Sequence, residues 1–312
     1  MATSDQRRTE KIDHLSLLEN SKKMVAAFAD MQGKRWSMED SHINSRLNET
    51  VRIFGVCDGH GGSNCSQFLQ NNLSKHIFAT LNAQVDVKNA NLMKILIGIA
   101  FEKCETEFEL LHKDDTSGST CCILIYFQDL NIYYIVNCGD SRAIVCPNIS
   151  AFEKSATLVT TDHKPGLPSE KLRIESLGGF VTHFSYMKSG QQEYIYRVQG
   201  VLSVSRSFGD QQFRPFIKET PDVFGPFVAN KNSSVLIACD GAFENNTCEE
   251  LYKNISLVVK ICADEELLVK NKEKSEITYE AARALTIASQ VLTFSYNKGS
   301  EDNISAIFIE FL

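Results

Sequence analysis

Residues 51–62 read VRIFGVCDGHGG, an apolar run of β-branched and aromatic residues that ends in Asp58 and a glycine-rich turn. A carboxylate that directly follows a buried strand is costly unless its charge is neutralised, and hard divalent cations do so through oxygen ligands. The same pattern recurs along the chain and predicts a metal cluster. The other acids in this setting are Glu39 and Asp40 in RWSMED, Asp240 in VLIACDG and Asp302 in SEDNISAIFIEF.

Apolar runs rich in β-branched and aromatic residues predict the strands. They are MVAAFADM, VRIFGVCD, STCCILIYFQ, NIYYIVNCG, RAIVCP, TLVTTD, YRVQGVLSV, VLIACDG and NISAIFIEFL. Helices are predicted over 63–81 and 92–112, in SEKLRIESLGG before its glycines, after Thr247, and over 275–295. Because strands and helices are grouped and do not alternate, we expect an α+β fold with two packed, mainly antiparallel sheets and helices outside.

The acids occupy matching ends of these strands. Asp58 and Asp240 end their strands, whereas Asp302 begins one. In antiparallel neighbours the end of one strand and the start of the next lie at the same edge of a sheet. We therefore expect these three carboxylates to converge.

Charge and hydropathy argue against two classes of partner, nucleic acids and membranes. The net charge is −7, whereas general binders of nucleic acid or anionic membranes concentrate Lys and Arg. No uninterrupted apolar stretch approaches the roughly 20 residues of a membrane span, and no secretory signal is visible. We expect neither nucleic acid nor membrane as a partner, and a monomer.

The ten cysteines predict free thiols, because most of them lie in apolar, strand-like runs where Cys acts as a small hydrophobe. That favours a reducing, intracellular setting, cytoplasmic or nuclear.

The chain is predicted to have two parts. Residues 1–22 are polar and predict an N-terminal arm. Residues 23–312 contain no repeat or low-complexity linker and predict a single catalytic domain.

The predicted cluster lacks the His and Cys ligands that zinc and iron sites use. Its ligands are carboxylate oxygens, which favour Mg²⁺ or Mn²⁺. Two such ions about 3.5–4 Å apart, bridged by a carboxylate and a hydroxide, are a common device for in-line attack on a phosphate ester. Asp58 is the natural bridge, because Gly59 lets the backbone approach the ions. Other catalytic patterns are missing: a Cys followed six positions later by Arg, a GxxxxGK[ST] loop and a GxSxG turn.

Eight motifs resemble those of the type-2C metal-dependent serine/threonine protein phosphatases, in the order seen in that family and from about Met24 to Leu312. They are RWSMED, DGHGG, GST (118–120), GDSR (139–142), DHKP (162–165), VLSVSRSFGD, ACDG and EDNIS. The resemblance implies a four-layer arrangement, a central sandwich of two antiparallel sheets flanked by helices on both sides, with a two-metal site at one edge.

The resemblance also implies roles for the acids. Asp58 bridges both ions, Asp240 and Asp302 complete one of them, and Glu39 with the Gly59 carbonyl completes the other. Asp40 holds a metal-bound water.

Two further residues gain roles from the resemblance. Arg35 looks like the family's phosphate-binding arginine, whose guanidinium forms a bidentate fork for two phosphate oxygens. His60 resembles the general acid that protonates the departing Ser or Thr oxygen, for which an imidazole that titrates near neutrality is suited.

The remaining motif residues have either two possible roles or a predicted structural role. Asp140 resembles an acid linked to a third, weaker metal, although a turn aspartate before a hairpin is an equally good interpretation. The family commonly has an aspartate where this chain has Glu244, which displaces or weakens a third site. Residues 166–200 match the family's variable flap, and Asp162, His163 and Asp210 are predicted to serve packing and loop geometry.

The function that these patterns predict is hydrolysis of phosphoserine and phosphothreonine in proteins by a water that two Mg²⁺ or Mn²⁺ ions activate, without a covalent intermediate. Two alternatives stay open at this point. One is a catalytically silent pseudophosphatase that acts as a binding module, and the other is a phosphatase for a small metabolite.

Overall fold

The computed structural model describes residues 11–81, 85–188, 191–269 and 277–312. Its strands are β1 His14–Asn20, β2 Met24–Met31, β3 Ser41–Arg46, β4 Val51–Cys57, β5 Gly59–His60, β6 Gly118–Ser119, β7 Cys121–Phe127, β8 Ile132–Cys138, β9 Arg142–Cys146, β10 Thr157–Leu158, β11 Val181–Lys188, β12 Gln191–Val198, β13 Phe208–Gly209, β14 Asp222–Val228, β15 Ser234–Ala238 and β16 Ile304–Phe311. Its α-helices are α1 Asn64–Thr80, α2 Ala90–Leu111, α3 Phe152–Ser155, α4 Pro168–Ser176, α5 Cys248–Val269 and α6 Tyr279–Asn297.

The described residues form two compact units, and neither is a continuous piece of chain. The first takes the residues up to Asp40, Ala143–Val159 and Ala229–Leu312. The second takes Ser41–Arg142 and Thr160–Val228.

The first unit is a six-stranded sheet in the order β1-β2-β16-β15-β9-β10. Strands β1, β2, β16 and β15 pair antiparallel in that order, so strands from both ends of the chain are neighbours. Helix α6 packs on β2 and β16, and α5 packs on α6. The side chains that alternate inward from β2, Val25, Ala27 and Ala29, share one buried apolar core with Ile287 and Val291 of α6.

The second unit has a five-stranded antiparallel sheet in the order β14-β8-β7-β4-β3. Helices α1 and α2 pack together and share a core with this sheet, in which Leu69 and Phe101 meet Ile53 and Ile123. A small three-stranded sheet, β13-β6-β5, and the β11–β12 hairpin belong to the same unit.

The α+β class predicted from the sequence is confirmed, because each unit has a mainly antiparallel sheet with helices packed on it. Predicted helix bounds differ by a few residues from α1, α2 and α6, and 270–276 lie outside the described residues. Within the predicted flap, 166–200, the chain forms α4 and the β11–β12 hairpin, except for 189–190, which also lie outside them.

The structure differs from the predicted N-terminal arm over part of its length. Residues 14–20 of that arm form β1, which pairs with β2 at the edge of the first unit's sheet. An edge strand with one solvated face can carry polar residues while its backbone pairs with a single neighbour, so the polar composition of HLSLLEN did not indicate a strand. Residues 1–10 lie outside the described part of the chain.

No helix in the described ranges is long and apolar enough to cross a membrane.

Candidate metal centre

In the first unit, Asp240 and Asp302 follow and precede neighbouring strands at one edge of the sheet. Strand β15 ends at Ala238 and β16 begins at Ile304, and the two strands pair antiparallel. Strand β2 ends at Met31, opposite Ile304, so the loop that carries RWSMED leaves from the same edge. Antiparallel pairing therefore brings these two acids and this loop to one edge.

A single amide, Asn303, fixes the RWSMED loop. Its side-chain Nδ2 donates to the carbonyl oxygens of Gln32 at 2.8 Å and Ser37 at 3.0 Å, and its Oδ1 accepts from the Glu39 N–H at 2.9 Å. The side chain is buried. Asn303 was not among the predicted site residues, although its place between Asp302 and a buried strand was a signal.

Glycines allow the loops at this edge to approach one another. A Cβ at Gly241 would lie 2.0 Å from the Asn303 carbonyl oxygen, which no real Cβ contact permits. A Cβ at Gly33 would lie 2.5 Å from the Asp302 carbonyl oxygen, and Gly33 has a φ of +62°. The segments around Asp240 and Asp302 are therefore packed backbone to backbone.

Arg35 lies beside Asp302. Its guanidinium Nη2 donates to Asp302 Oδ2 at 2.7 Å. Burial raises the pKa of Asp302, and the neighbouring guanidinium acts in the opposite direction. The structure thus brings the predicted phosphate-binding arginine next to a predicted metal ligand.

Asp40 is a buried carboxylate that is only partly satisfied. Its Oδ2 accepts from Ser305 Oγ at 2.7 Å, whereas Oδ1 is buried with no hydrogen-bond partner in the described part of the chain. Burial raises the pKa of Asp40 to about 7, against the hydrogen bonds from Ser305 and Cys239. A carboxylate oxygen of Asp40 lies within 4.8 Å of the Cys239 thiol, a neighbour that we did not predict.

The two glutamates near this edge make local contacts. Glu39 Oε1 accepts from Ser37 Oγ at 3.0 Å. Glu244, where the chain departs from the family pattern, accepts from Ser300 Oγ at 2.9 Å and from the Glu301 N–H at 2.8 Å. Glu244 therefore holds the turn that leads into Asp302.

In the second unit, Asp58 and Asp140 meet. Strands β4, β7 and β8 are antiparallel neighbours, so the end of β4 and the end of β8 lie at one edge. The Thr120 N–H donates to the Asp58 carbonyl at 2.9 Å, which links the residue after β4 to the residue before β7. Carboxylate oxygens of Asp58 and Asp140 lie within 4.8 Å of each other.

Asp140, the tentative ligand of a third metal, has a cation beside it already. Its side chain is buried and forms an ion pair with Lys164. Lys164, in the DHKP motif, was not among the predicted site residues. A third metal at Asp140 would have to compete with this ammonium group.

His60 and the three residues assigned to packing all make defined contacts in the second unit. His60 Nε2 lies 2.7 Å from Asp210 Oδ2. Asp162 forms a two-point ion pair with Arg142, at 2.9 and 2.8 Å. His163 Nδ1 accepts from the Gly139 N–H at 3.0 Å, which is consistent with a role in loop geometry.

These groups suit a hard cation. Apart from the Cys239 thiol, the grouped ligand atoms are carboxylate oxygens, which Mg²⁺ and Mn²⁺ prefer. Asp40 Oδ1, which has no hydrogen-bond partner among the described residues, has lone pairs that a dication would satisfy. A dication beside Asp58 and Asp140 would offset the repulsion between their carboxylates.

Known proteins resemble this chain over most of its length. The family model for Protein phosphatase 2C matches residues 25–304. The chain is 33% identical over 298 residues to "Probable protein phosphatase 2C 59" of Oryza sativa subsp. japonica, a match that covers 93% of this chain and 76% of the relative. It is 29% identical over 282 residues to "Protein phosphatase 2C 1" of Paramecium tetraurelia, over 84% of this chain and 88% of that relative.

A solved structure supports the same fold. The "crystal structure of a phosphatase from a pathogenic strain Toxoplasma gondii" matches with a TM-score of 0.69 and 22% identity, covering 95% of this chain and 94% of that one. The resemblance inferred from eight motifs is confirmed, and this chain belongs to the protein phosphatase 2C family.

Proposed function

We propose that this protein is a Mg²⁺- or Mn²⁺-dependent phosphatase that removes phosphate from phosphoserine and phosphothreonine in proteins. The observation that carries the proposal is that the family match spans residues 25–304 and that every acid the mechanism needs is present in it. The chain would therefore be a working hydrolase of phosphorylated proteins.

The proposed metal ligands are Glu39, Asp58, the Gly59 carbonyl, Asp240 and Asp302, with Asp140 as a tentative ligand of a third ion. Two bound dications lower the pKa of a water and neutralise the phosphoryl oxygens. In support, the first unit gathers Asp240 and Asp302 at one sheet edge, and the second unit puts Asp58 beside Asp140.

The chain's own side chains bind the substrate and move protons. Arg35 would hold the phosphate with its guanidinium fork. Asp40 would accept a hydrogen bond from the attacking water through Oδ1, the buried oxygen for which the described residues supply no donor. His60 would give a proton to the Ser or Thr oxygen as the P–O bond breaks. Because water is the nucleophile, no phosphoenzyme forms.

We further propose an intracellular location, cytoplasmic or nuclear, for a monomer whose partners are phosphorylated proteins. All ten cysteines are free thiols, and nine of them are buried. Such thiols are typical of proteins from a reducing compartment.

The test is a metal titration of the chelated protein on a mixed panel of phosphoserine and phosphothreonine peptides. Chelation should abolish phosphate release, and added Mn²⁺ or Mg²⁺ should restore it. Sugar phosphates, assayed in parallel, should be poor substrates. A full rate after exhaustive chelation would contradict the metal mechanism, and a preference for sugar phosphates would contradict the substrate class.

A further inference from the structure

The small sheet β13-β6-β5 determines which residues lie next to His60. In β5–β6 pairing His60 lies opposite Gly118, and in β6–β13 pairing Gly118 lies opposite Gly209. Asp210 follows directly after β13. The register of these short strands therefore places the Asp210 carboxylate next to the imidazole, with His60 Nε2 and Asp210 Oδ2 2.7 Å apart.

Gly118 leaves the room that this contact needs. A Cβ at position 118 would lie 2.4 Å from His60 Nε2 and 2.3 Å from Asp210 Oδ2. Any larger residue would displace one of the two partners. The hydrogen bond is thus built into the strand pairing and does not depend on mobile surface side chains.

Asp210 is buried and held through its backbone and Oδ2, whereas its Oδ1 has no hydrogen-bond partner among the described residues. Its side chain is 1% exposed, and its backbone adopts a φ of +51°, which is uncommon for a residue other than glycine. The Asp210 N–H donates to the Ser117 carbonyl at 3.1 Å, and Ser207 Oγ donates to Asp210 Oδ2 at 2.5 Å. A residue fixed in an uncommon conformation at a candidate site suggests a functional role.

The support extends one layer further. The N–H of Gly209 donates to Glu105 Oε2 at 2.9 Å, and Glu105 forms an ion pair with Arg214 at 2.9 Å. Both side chains are largely buried. Strand β13, which Asp210 directly follows, is therefore anchored to α2, the helix that carries Glu105.

The chemistry of the pair fixes which ring nitrogen carries hydrogen. A carboxylate oxygen accepts hydrogen bonds only, and at 2.7 Å an unprotonated Nε2 would present a lone pair to it. With Asp210 ionised, Nε2 is therefore the donor to Asp210.

We propose that Asp210 is the positioning residue of His60, because it accepts from Nε2 and so fixes the orientation of the imidazole that protonates the leaving oxygen. The proposal rests on the proposed function. As the P–O bond breaks, its electrons pass to the Ser or Thr oxygen, which takes a proton from the doubly protonated ring of His60. The oxygen of water bonds to phosphorus, and the hydrogens of that water leave with the phosphate product. Neutral His60 keeps its Nε2 hydrogen on Asp210, and solvent returns the proton that the ring has given away.

The first experiment compares two leaving groups in the Mg²⁺-loaded enzyme. A serine alkoxide needs a proton as it leaves, whereas p-nitrophenolate does not. In Asp210→Asn we expect kcat on a phosphoserine peptide to fall about 10²- to 10⁴-fold with little change in KM, and kcat on p-nitrophenyl phosphate to fall less than about 5-fold. His60→Gln should show the same split, and the double variant should lose little more.

Asp222→Asn is the matched control, because it removes the carboxylate of another histidine pair, His163 Nε2 to Asp222 Oδ2 at 3.1 Å. This variant should leave the ratio of the two rates unchanged. Equal losses on both substrates in a folded Asp210→Asn would overturn the proposal, as would full activity on the peptide. A parent enzyme inactive on both substrates would instead count against the proposed function.

The second experiment needs no variant of Asp210 and no activity. Long-range ¹H–¹⁵N spectra of the parent protein with Mg²⁺, with the His60 signals assigned by comparison with His60→Gln, report the tautomer of the neutral ring. We expect hydrogen on Nε2. Hydrogen on Nδ1 would overturn the proposal whether or not Asp210→Asn folds.

Discussion

At the scale of single residues, the candidate site depends on side chains that form hydrogen bonds to the backbone of its loops. Asn303 joins three backbone positions of the RWSMED loop, which carries Arg35, Glu39 and Asp40. Glu244 holds the turn before Asp302 in the same way. Such residues keep the candidate ligands in position without touching substrate, and their loss should appear in both stability and turnover.

We expect Asn303→Ala to lower the free energy of unfolding by about 1–3 kcal/mol, because buried backbone groups lose their partners. Phosphatase activity should fall and the Mn²⁺ concentration needed for half-maximal activity should rise, since Glu39 is no longer held. Urea denaturation and metal titration measure the two effects. Asn303→Asp keeps the acceptor for the Glu39 N–H, so it should retain more metal affinity than the alanine variant; the reverse order would count against this account.

Glu170 should make stability depend on acid pH. Its side chain is 3% exposed and pairs with Arg206 at 2.7 Å and Arg173 at 2.9 Å. Burial alone would raise the pKa of Glu170, but the hydrogen bonds and charges of the two arginines outweigh it and lower the pKa from 4.5 to about 2. The folded-state pKa lies below the unfolded value, so the stabilisation is present above about pH 4.5 and is lost as the pH falls.

Urea unfolding at pH 6 and pH 3 measures this contribution. The stability difference between the parent and Glu170→Gln should shrink by about 2 kcal/mol over that interval. Glu175→Gln is a control on the same helix, because Glu175 pairs only at 3.8 Å with exposed Lys171 and should leave the pH dependence unchanged. Parallel curves for the parent and Glu170→Gln would refute the assignment.

The identity of the candidate ligands could be predicted from the sequence, whereas the residues that position them could not. Asp58, Asp240 and Asp302 each stand beside an apolar run, a local pattern. Glu39 and Asn303 are 264 residues apart, and His60 and Asp210 are 150 apart. No periodicity links such pairs, because their contact depends on which strands become neighbours and in which register.

At the scale of elements, strand pairing brings residues that follow or precede different strands to the same edge of a sheet. The grouping of strands and helices was enough to predict an α+β fold, and the central strands were found because most of their residues are apolar. Strand β1 was missed because it is at a sheet edge and half its pattern is polar. The close contacts between loops at the strand ends could not be predicted from the sequence either, because only the folded backbone shows where a Cβ does not fit.

Two glycine-to-alanine changes separate backbone packing from helix propensity. Gly241→Ala should lower the free energy of unfolding by about 1–3 kcal/mol, because the new Cβ would lie 2.0 Å from the Asn303 carbonyl oxygen. Gly98→Ala, in the interior of α2 with nothing within 4 Å, should raise it by about 0.5–1 kcal/mol. Thermal or urea unfolding of both variants is the measurement. Destabilisation of the same sign and size in both would show that close packing at Gly241 is not the cause.

At the scale of the whole molecule, the chain builds each unit from separate segments. The first unit combines residues near both termini, with β2 and β16 as neighbours in the middle of its sheet. The family match runs from 25 to 304 and so includes segments of both units. The proposed ligands follow the same distribution, since Asp240 comes after β15 and Asp58 after β4.

Metal binding should therefore stabilise the fold, and the effect should need acids from distant parts of the chain. With Mn²⁺ at about 100 times its Kd, the free energy of unfolding should rise by about 2.7 kcal/mol. Asp58→Asn and Asp240→Asn should each abolish most of that rise without lowering the stability of the metal-free protein, because neutralising one of several crowded carboxylates relieves repulsion.

Asp129→Asn is the matched control, since Asp129 is exposed in the β7–β8 turn, at the opposite end of β7 from Asp58. It should keep the full Mn²⁺ effect. Thermal unfolding with and without Mn²⁺ makes the comparison independent of any substrate. If Asp58→Asn and Asp240→Asn retained the parent's stabilisation, these carboxylates would not be ligands, because a group that binds the ion only in the folded state must contribute to this difference.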